Sequence, residues 1–280
     1  MKTSNPVLSR LGQAAERERA AGHAPAGYGP AGYGQPAYGQ PGHGQPYPTT
    51  AGYPAAPPTV RPMTIDDVVV RTVGLLGITG LSAALAWTMV PNSVAGPLMW
   101  GAVMVGLVLG LVISFARLTN PLIIGAYALV EGVFLGLVSR AFNEQYAGIV
   151  LQAVIGSFGV FFLMAMLYKA RVIRATPKFV RGVLAAMVGI FAIIMVNLVL
   201  SLFEVNTGLR DGGPLAIVFS LVVIVVAALS FILSFHEVEE GVRMGLPQKY
   251  AWSAAFGILV SLIWLYLEIL RLLSYFQGDD

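Results

Sequence analysis

The chain has 280 residues, 56% of them hydrophobic and only 11% charged, with a net charge of +3 and a mean hydropathy of +0.75. A soluble domain carries about 25% charged residues, so an ordinary soluble enzyme is excluded, and so small a charge excess, held in short loops, argues against nucleic acid. The chain has no cysteine, which removes disulfides, thiolate nucleophiles and Cys-based metal sites.

Composition divides the chain near residue 62. Leu8–Ala21 reads as a short charged helix through Glu16, Arg17, Glu18 and Arg19. Residues 22–58 hold 9 Gly, 9 Pro and 5 Tyr among 37 positions, with a loose five-residue repeat at Tyr28, Tyr33, Tyr38 and His43. Too little apolar surface is available there to offset the entropy of ordering. Residues 1–62 are therefore expected to form a disordered Pro/Gly/Tyr-rich tail, either a passive extension or an arm that recruits a protein partner. Nothing before Val68 is apolar enough for a signal peptide.

Residues 63–280 read as the membrane domain. Seven apolar runs follow in chain order, over 68–90, 94–116, 121–142, 146–168, 180–203, 214–236 and 250–276. Each reaches the roughly 20 residues needed to cross about 30 Å of hydrocarbon. The dividers are polar or helix-breaking: Pro91-Asn92, Thr119-Asn120-Pro121, Asn143-Glu144-Gln145, 171–178, 210–214 and 236–249. Backbone polar groups in lipid must be paired within the segment. The expected fold is thus an all-α, seven-transmembrane-helix bundle carrying a disordered N-terminal tail.

Charge sets the expected orientation. Of 17 Lys and Arg, six precede or open the first span, eight lie in the second, fourth and sixth connections, two (Arg140 and Arg210) lie in the odd ones, and Arg271 is near the end. Positive residues stay on the cytoplasmic side. The expectation is a multi-pass protein of the plasma (inner) membrane with its N-terminus cytoplasmic and its C-terminus outside.

An ionisable residue inside a span costs about 2.5–3.5 kcal/mol on insertion scales, which makes each one a functional candidate. Glu131 sits in mid-span, beside Gly132 and Gly136, whose spacing of four lets another helix approach closely. Desolvation disfavours a charged carboxylate, so Glu131 is a candidate proton-binding or cation-binding group; the plainer alternative is a hydrogen bond across a helix interface. In the last span Ser253, Gly257, Ser261 and Glu268 share a sector about 80° wide. Arg271, three residues beyond Glu268, either pairs with it or snorkels outward. Ser220, Ser230 and Ser234 form a matching side of the sixth span, and Asn197 with Ser201 a weaker copy in the fifth. Such stripes line a polar path or simply permit tight packing. Glu237, Glu239 and Glu240 crowd the cytoplasmic close of the sixth span, either as oxygen ligands for a divalent cation or as a solvated face opposite Arg243 and Lys249.

Catalytic residues are not expected. The chain has His23, His43 and His236 alone, two of them in the tail, so a membrane-buried Ser–His dyad lacks its base. No H-E-x-x-H, phosphate-loop or paired-Cys motif occurs, and Lys169, Lys178 and Lys249 all lie at span edges, where a retinal Schiff base cannot form. No resident cofactor is implied beyond transient Ca2+, and no metal site can be assigned.

Asn120-Pro121 through Glu131-Gly132-Val-Phe-Leu-Gly136 resembles the third-helix signature of the Bax inhibitor-1 family. The stretch Gly245-Leu-Pro247-Gln-Lys-Tyr-Ala-Trp252 through Trp264-Leu-Tyr-Leu-Glu268-Ile-Leu-Arg271 is similar to its bacterial YccA-like branch. The likeness covers about 65–276. It implies a bundle with a central last helix and a pH-sensitive calcium leak gated by an acidic pair on helices six and seven. Here Ser234 and Ser261 stand at the positions of that pair, and neither titrates, so proton control would move to Glu131, with Glu268 second. The resulting expectation is a pH-sensitive cation (calcium) leak or channel, with Ser230, Ser234, Ser261 and Glu268 lining the path around Glu131. The alternatives are a non-conducting membrane interaction protein, such as a regulator or substrate of a membrane-bound AAA protease, and a structural membrane protein clustered by its arm.

Overall fold

A computed structural model describes residues 61–203, 207–209 and 212–278. The expected charged helix at Leu8–Ala21 and nearly all of the expected tail lie outside these residues. Seven helices follow in chain order: α1 Ile65–Met89, α2 Asn92–Phe115, α3 Pro121–Gln145, α4 Ile149–Lys169, α5 Pro177–Leu202, α6 Pro214–Arg243 and α7 Tyr250–Gln277. All seven are long and apolar enough to cross a membrane. Among the described residues there is no strand, only an isolated bridge between Pro62 and Pro247.

The helix starts follow local chemistry. Proline opens α3, α5 and α6 at Pro121, Pro177 and Pro214, where its missing N–H is not needed. Asn120 Oδ1 accepts from the Leu122 N–H (2.9 Å) and Thr176 Oγ1 from that of Phe179 (3.2 Å). Thr64 and Asp67 form a reciprocal capping box at α1. α6 runs to Arg243, well past the expected close near residue 236. His236, Glu237, Glu239 and Glu240 are therefore helical, not part of a loop.

The last helix is central: α7 packs against α1, α3, α4 and α6, whereas among the described residues α2 packs only against α3 and α5 only against α6. The core follows this arrangement. Phe231 and Ile232 of α6, Leu262 and Leu265 of α7, and Met164 of α4 form one buried cluster, which also takes in Met63 and Val68. The outer faces of α2 and α5 stay apolar and exposed, including Val105, Val108, Val188 and Phe191, as lipid-facing surfaces must be.

The tightest contact is between α1 and α3. A methyl group at Gly132 would collide with Ser82 Oγ and the Thr79 carbonyl, and one at Gly136 with the backbone of Ala83. The Gly132/Gly136 spacing therefore does admit a neighbouring helix, and that neighbour is α1. Thr79 Oγ1 donates across the contact to the Ala128 carbonyl (3.2 Å).

At the end of the bundle that carries the α6–α7 connection, the chain entering α1 is clasped to that connection. The Met63 N–H donates to the Leu246 carbonyl (2.7 Å) and the Gln248 N–H to that of Arg61 (3.0 Å). Gln248 Nε2 reaches Asp67 Oδ1 (2.7 Å), and the Arg71 guanidinium lies 5.3 Å from the centre of the Trp252 ring. Arg61 and Pro62, grouped with the tail by composition, are thus bonded into the helical body.

Because the α1–α3 crossing has no room for a side chain, Gly136→Val should lower stability by about 1–3 kcal/mol, the usual range for overpacking. Gly74→Val, where an added carbon meets nothing within 4 Å, should be near neutral. Thermal unfolding of the two variants in the same detergent checks this.

Candidate functional site

The most deeply buried acid sits on the central helix. Glu268 is 2% exposed. Its Oε1 accepts a hydrogen bond from Ser220 Oγ of α6 at 2.7 Å, and its Oε2 accepts from Arg271 Nη1 at 2.8 Å. Ser220 is itself 1% exposed, while the Arg271 side chain keeps 27% of its surface. The two expected fates of Arg271 are thereby decided: it turns inward to the carboxylate. Helical spacing of three places the pair on one face of α7, and α6 supplies the hydroxyl because Ser220 falls where the two helices cross.

Deeper along the same seam, Ser230 Oγ donates to the Ala227 carbonyl (2.7 Å) and lies 3.2 Å from Ser261 Oγ. Ser234 Oγ bonds the Ser230 carbonyl of its own helix (3.3 Å). Thus Ser230, not Ser234, meets Ser261 across the interface. The seam holds two polar contacts between α6 and α7, one from a hydroxyl to a carboxylate and one between hydroxyls. Ser261 and Glu268 are seven residues apart, about 10 Å along the helix, and apolar Leu265 is fully buried between them.

Other expected members of the site lie elsewhere. Glu131 is on the side of α3 that meets α2: a methyl at Gly106 would stand 2.9 Å from Glu131 Oε1. Tyr127 lies one turn back on the same helix. Tyr127 in turn meets Phe256 of α7 edge to face, with ring centroids 4.9 Å apart. Glu131 is therefore one aromatic ring removed from α7 and apart from the α6–α7 serines expected around it. Asn197 Nδ2 donates to Thr207 Oγ1, tying the end of α5 to the following connection. Glu239 accepts from the Tyr168 hydroxyl of α4, Glu240 pairs with Arg243, and Glu237 is exposed. Among the described residues no three His, Asp or Glu side chains gather to hold a metal ion.

Two residues gained a role that the sequence did not assign. Ser220 was one hydroxyl of a stripe until α7 placed Glu268 against it. Arg140, an exception in the charge count, caps α1: its Nη1 donates to the carbonyls of Val90 (2.8 Å) and Trp87 (3.4 Å). Nε holds Glu144 (3.0 Å), and Nη2 donates to Asn92 Oδ1 at the start of α2. A cation at a helix C-terminus meets the negative end of its dipole. The signal was a lone basic residue in a connection with few others.

Comparison with known proteins gives one family. A protein-family model described as Bax inhibitor 1 like matches residues 5–278. No curated protein matches the chain.

Removing one partner of a buried ion pair leaves the other uncompensated and typically costs about 3–5 kcal/mol. Glu268→Leu and Arg271→Leu should each destabilise strongly, whereas the double variant should recover much of that loss. A double-mutant cycle by thermal unfolding measures the coupling.

Proposed function

The chain belongs to the Bax inhibitor-1-like family and is an integral membrane protein by its seven apolar helices; on that premise we propose that it is a pH-sensitive cation leak, with calcium as the transported ion, latched shut by Glu268, Arg271 and Ser220. The observation that carries this reading is the Glu268 carboxylate, 2% exposed on the central helix and tied to α6 by the Ser220 hydroxyl. An acid inside a span is costly and marks a functional position by default. As a stabiliser a buried ion pair has no advantage over apolar packing.

In the latched state both carboxylate oxygens are occupied. Loss of the Ser220 hydrogen bond to Glu268 lets α6 and α7 part along the line of Ser220, Ser230 and Ser261. The hydroxyl oxygens of that line are hard ligands suited to calcium. The pH sensitivity of this reading is carried over from the family resemblance. Glu131 stands outside this path and belongs to the α2–α3 contact. The protein is read as non-catalytic, with calcium as cargo and not as a resident cofactor. The excess of basic residues before α1 and in the even connections supports a plasma (inner) membrane protein with a cytoplasmic N-terminus, and the terminal motif supports the YccA-like branch.

One observation favours a second reading. Glu268 finds partners for both its oxygens inside the protein, as suits a non-conducting interaction protein, for example a regulator or substrate of a membrane-bound AAA protease that is engaged through residues 1–60.

Calcium uptake into indicator-loaded proteoliposomes across a pH series separates the two. The leak predicts wild-type flux that rises toward acid pH, flux insensitive to pH in Glu268→Gln, and wild-type behaviour in Glu131→Gln. Absence of wild-type flux at every pH removes the leak. Deletion of residues 1–60 should then abolish partner capture.

A further inference from the structure

α7 has a second face. Ser261 and Glu268 point to α6, whereas Leu259, Leu262, Ile263 and Tyr266 lie on the opposite side by helical spacing. That side floors a crevice of about 530 Å³ walled by α1, α3 and α4, within the roughly 300–1,000 Å³ of pockets that hold small ligands. α1 and α4 do not pack against each other, so the crevice opens sideways between them toward the bilayer.

The hydroxyls of its wall are already engaged. Ser139 Oγ and the Tyr266 hydroxyl share a hydrogen bond of 2.6 Å. The hydroxyls of Thr79, Thr88 and Ser157 donate to the carbonyls of Ala128, Ala84 and Ala153. Such a wall offers water no partners, and an apolar cavity stays dry or takes an apolar guest. Its length also fits one occupant. On α1 the lining runs from Leu76 to Thr88, about 18 Å at 1.5 Å per residue. Half of a hydrocarbon core about 30 Å thick is about 15 Å. The crevice therefore starts in mid-membrane and ends at one interface. There Trp87 lines it and the Arg140 guanidinium caps the last turn of α1. That level suits a polar headgroup.

We infer that the crevice is a lipid site, which takes one acyl chain of a glycerophospholipid from the leaflet at that end and sets its headgroup at the level of Trp87. The chain replaces the side chains that α1 and α4 fail to supply to each other. Lipid against α2 and α5 meets only a convex surface, whereas here it is enclosed on three sides.

The test uses the full chain in liposomes that contain a trace of phosphatidylethanolamine with a diazirine midway along one acyl chain. After irradiation the adducts are mapped by peptide mass spectrometry. Adducts should concentrate on residues 76–88 and 259–266 and saturate at one per protein. A side chain at Gly80 enters the crevice freely, since an added carbon there meets nothing within 4 Å. Gly80→Phe should lower labelling of residues 259–266 by about tenfold, a loss of about 1.4 kcal/mol, and leave α2 and α5 labelled as before. Gly189→Phe, on the exposed side of α5, should change nothing. If Gly80→Phe fails to fold, as judged by thermal unfolding, Ala84→Leu fills the same space. Equal labelling of residues 259–266 in wild type and variant, or adducts spread evenly over α2 and α5, overturns the site. Labelling there by a diazirine fatty acid but not by the phospholipid overturns the assignment to phospholipid.

Discussion

Hydrocarbon offers a polar group no solvent, so each one must find its partner within the protein, and that requirement organises this bundle. Backbone groups are satisfied by the helices themselves. Isolated hydroxyls turn back to carbonyls, as Ser157, Ser230 and Ser234 do. Charges need more. Arg140 is absorbed by the carbonyl end of α1, and Arg271 by Glu268. The Arg140 contacts and the Ser220 hydroxyl on Glu268 join elements distant in sequence, so they also fix which helices meet.

Central placement of α7 follows from the same requirement. A helix that carries a carboxylate needs neighbours on every side, and α7 has α1, α3, α4 and α6. The small residues of α3 let α1 approach, which brings α1 close enough to share α7. The clasp of residues 61–64 on the α6–α7 connection then ties the two ends of the domain's sequence together. Within their spans α2 and α5 carry no buried ion pair among the described residues, and they are the peripheral helices.

Much of this architecture was legible in the sequence because hydropathy and length act on one segment at a time. The seven runs, the Pro121 start and the small-residue face of Gly132 and Gly136 need no knowledge of neighbours. Helical spacing likewise put Glu268 and Arg271 together. The choice of neighbour was not legible. Glu131 and Gly132 differ by 100° on α3, enough to send one to α2 and the other to α1, and no single-helix pattern says which helix stands where. The same ignorance left Ser220 undistinguished and paired Ser234, not Ser230, with Ser261. The extension of α6 to Arg243 was hidden for a different reason: an amphipathic end beyond the apolar run looks polar to a hydropathy reading, yet Tyr168 and Arg243 give its carboxylates partners and the helix continues.

The two intramembrane acids differ in what it takes to free them. Glu131 is covered by Gly106 of a peripheral helix, so displacement of α2 alone exposes it. Glu268 is held by a charge on its own helix and by a hydroxyl on α6, so exposure requires the central seam to part. A rearrangement of the first kind leaves the bundle's core untouched, whereas one of the second kind repacks Phe231, Leu262 and Leu265 along with it. Parting Glu268 from Ser220 is therefore an all-or-none event for the domain, since a packed interface does not deform by degrees. A latch should be built at such a point, and the same central helix bears the lipid-facing crevice on its other side. An occupant there presses on Leu262 and Tyr266 and is linked to the seam through one rigid helix, so the state of the bilayer and the state of the ion pair act on the same element.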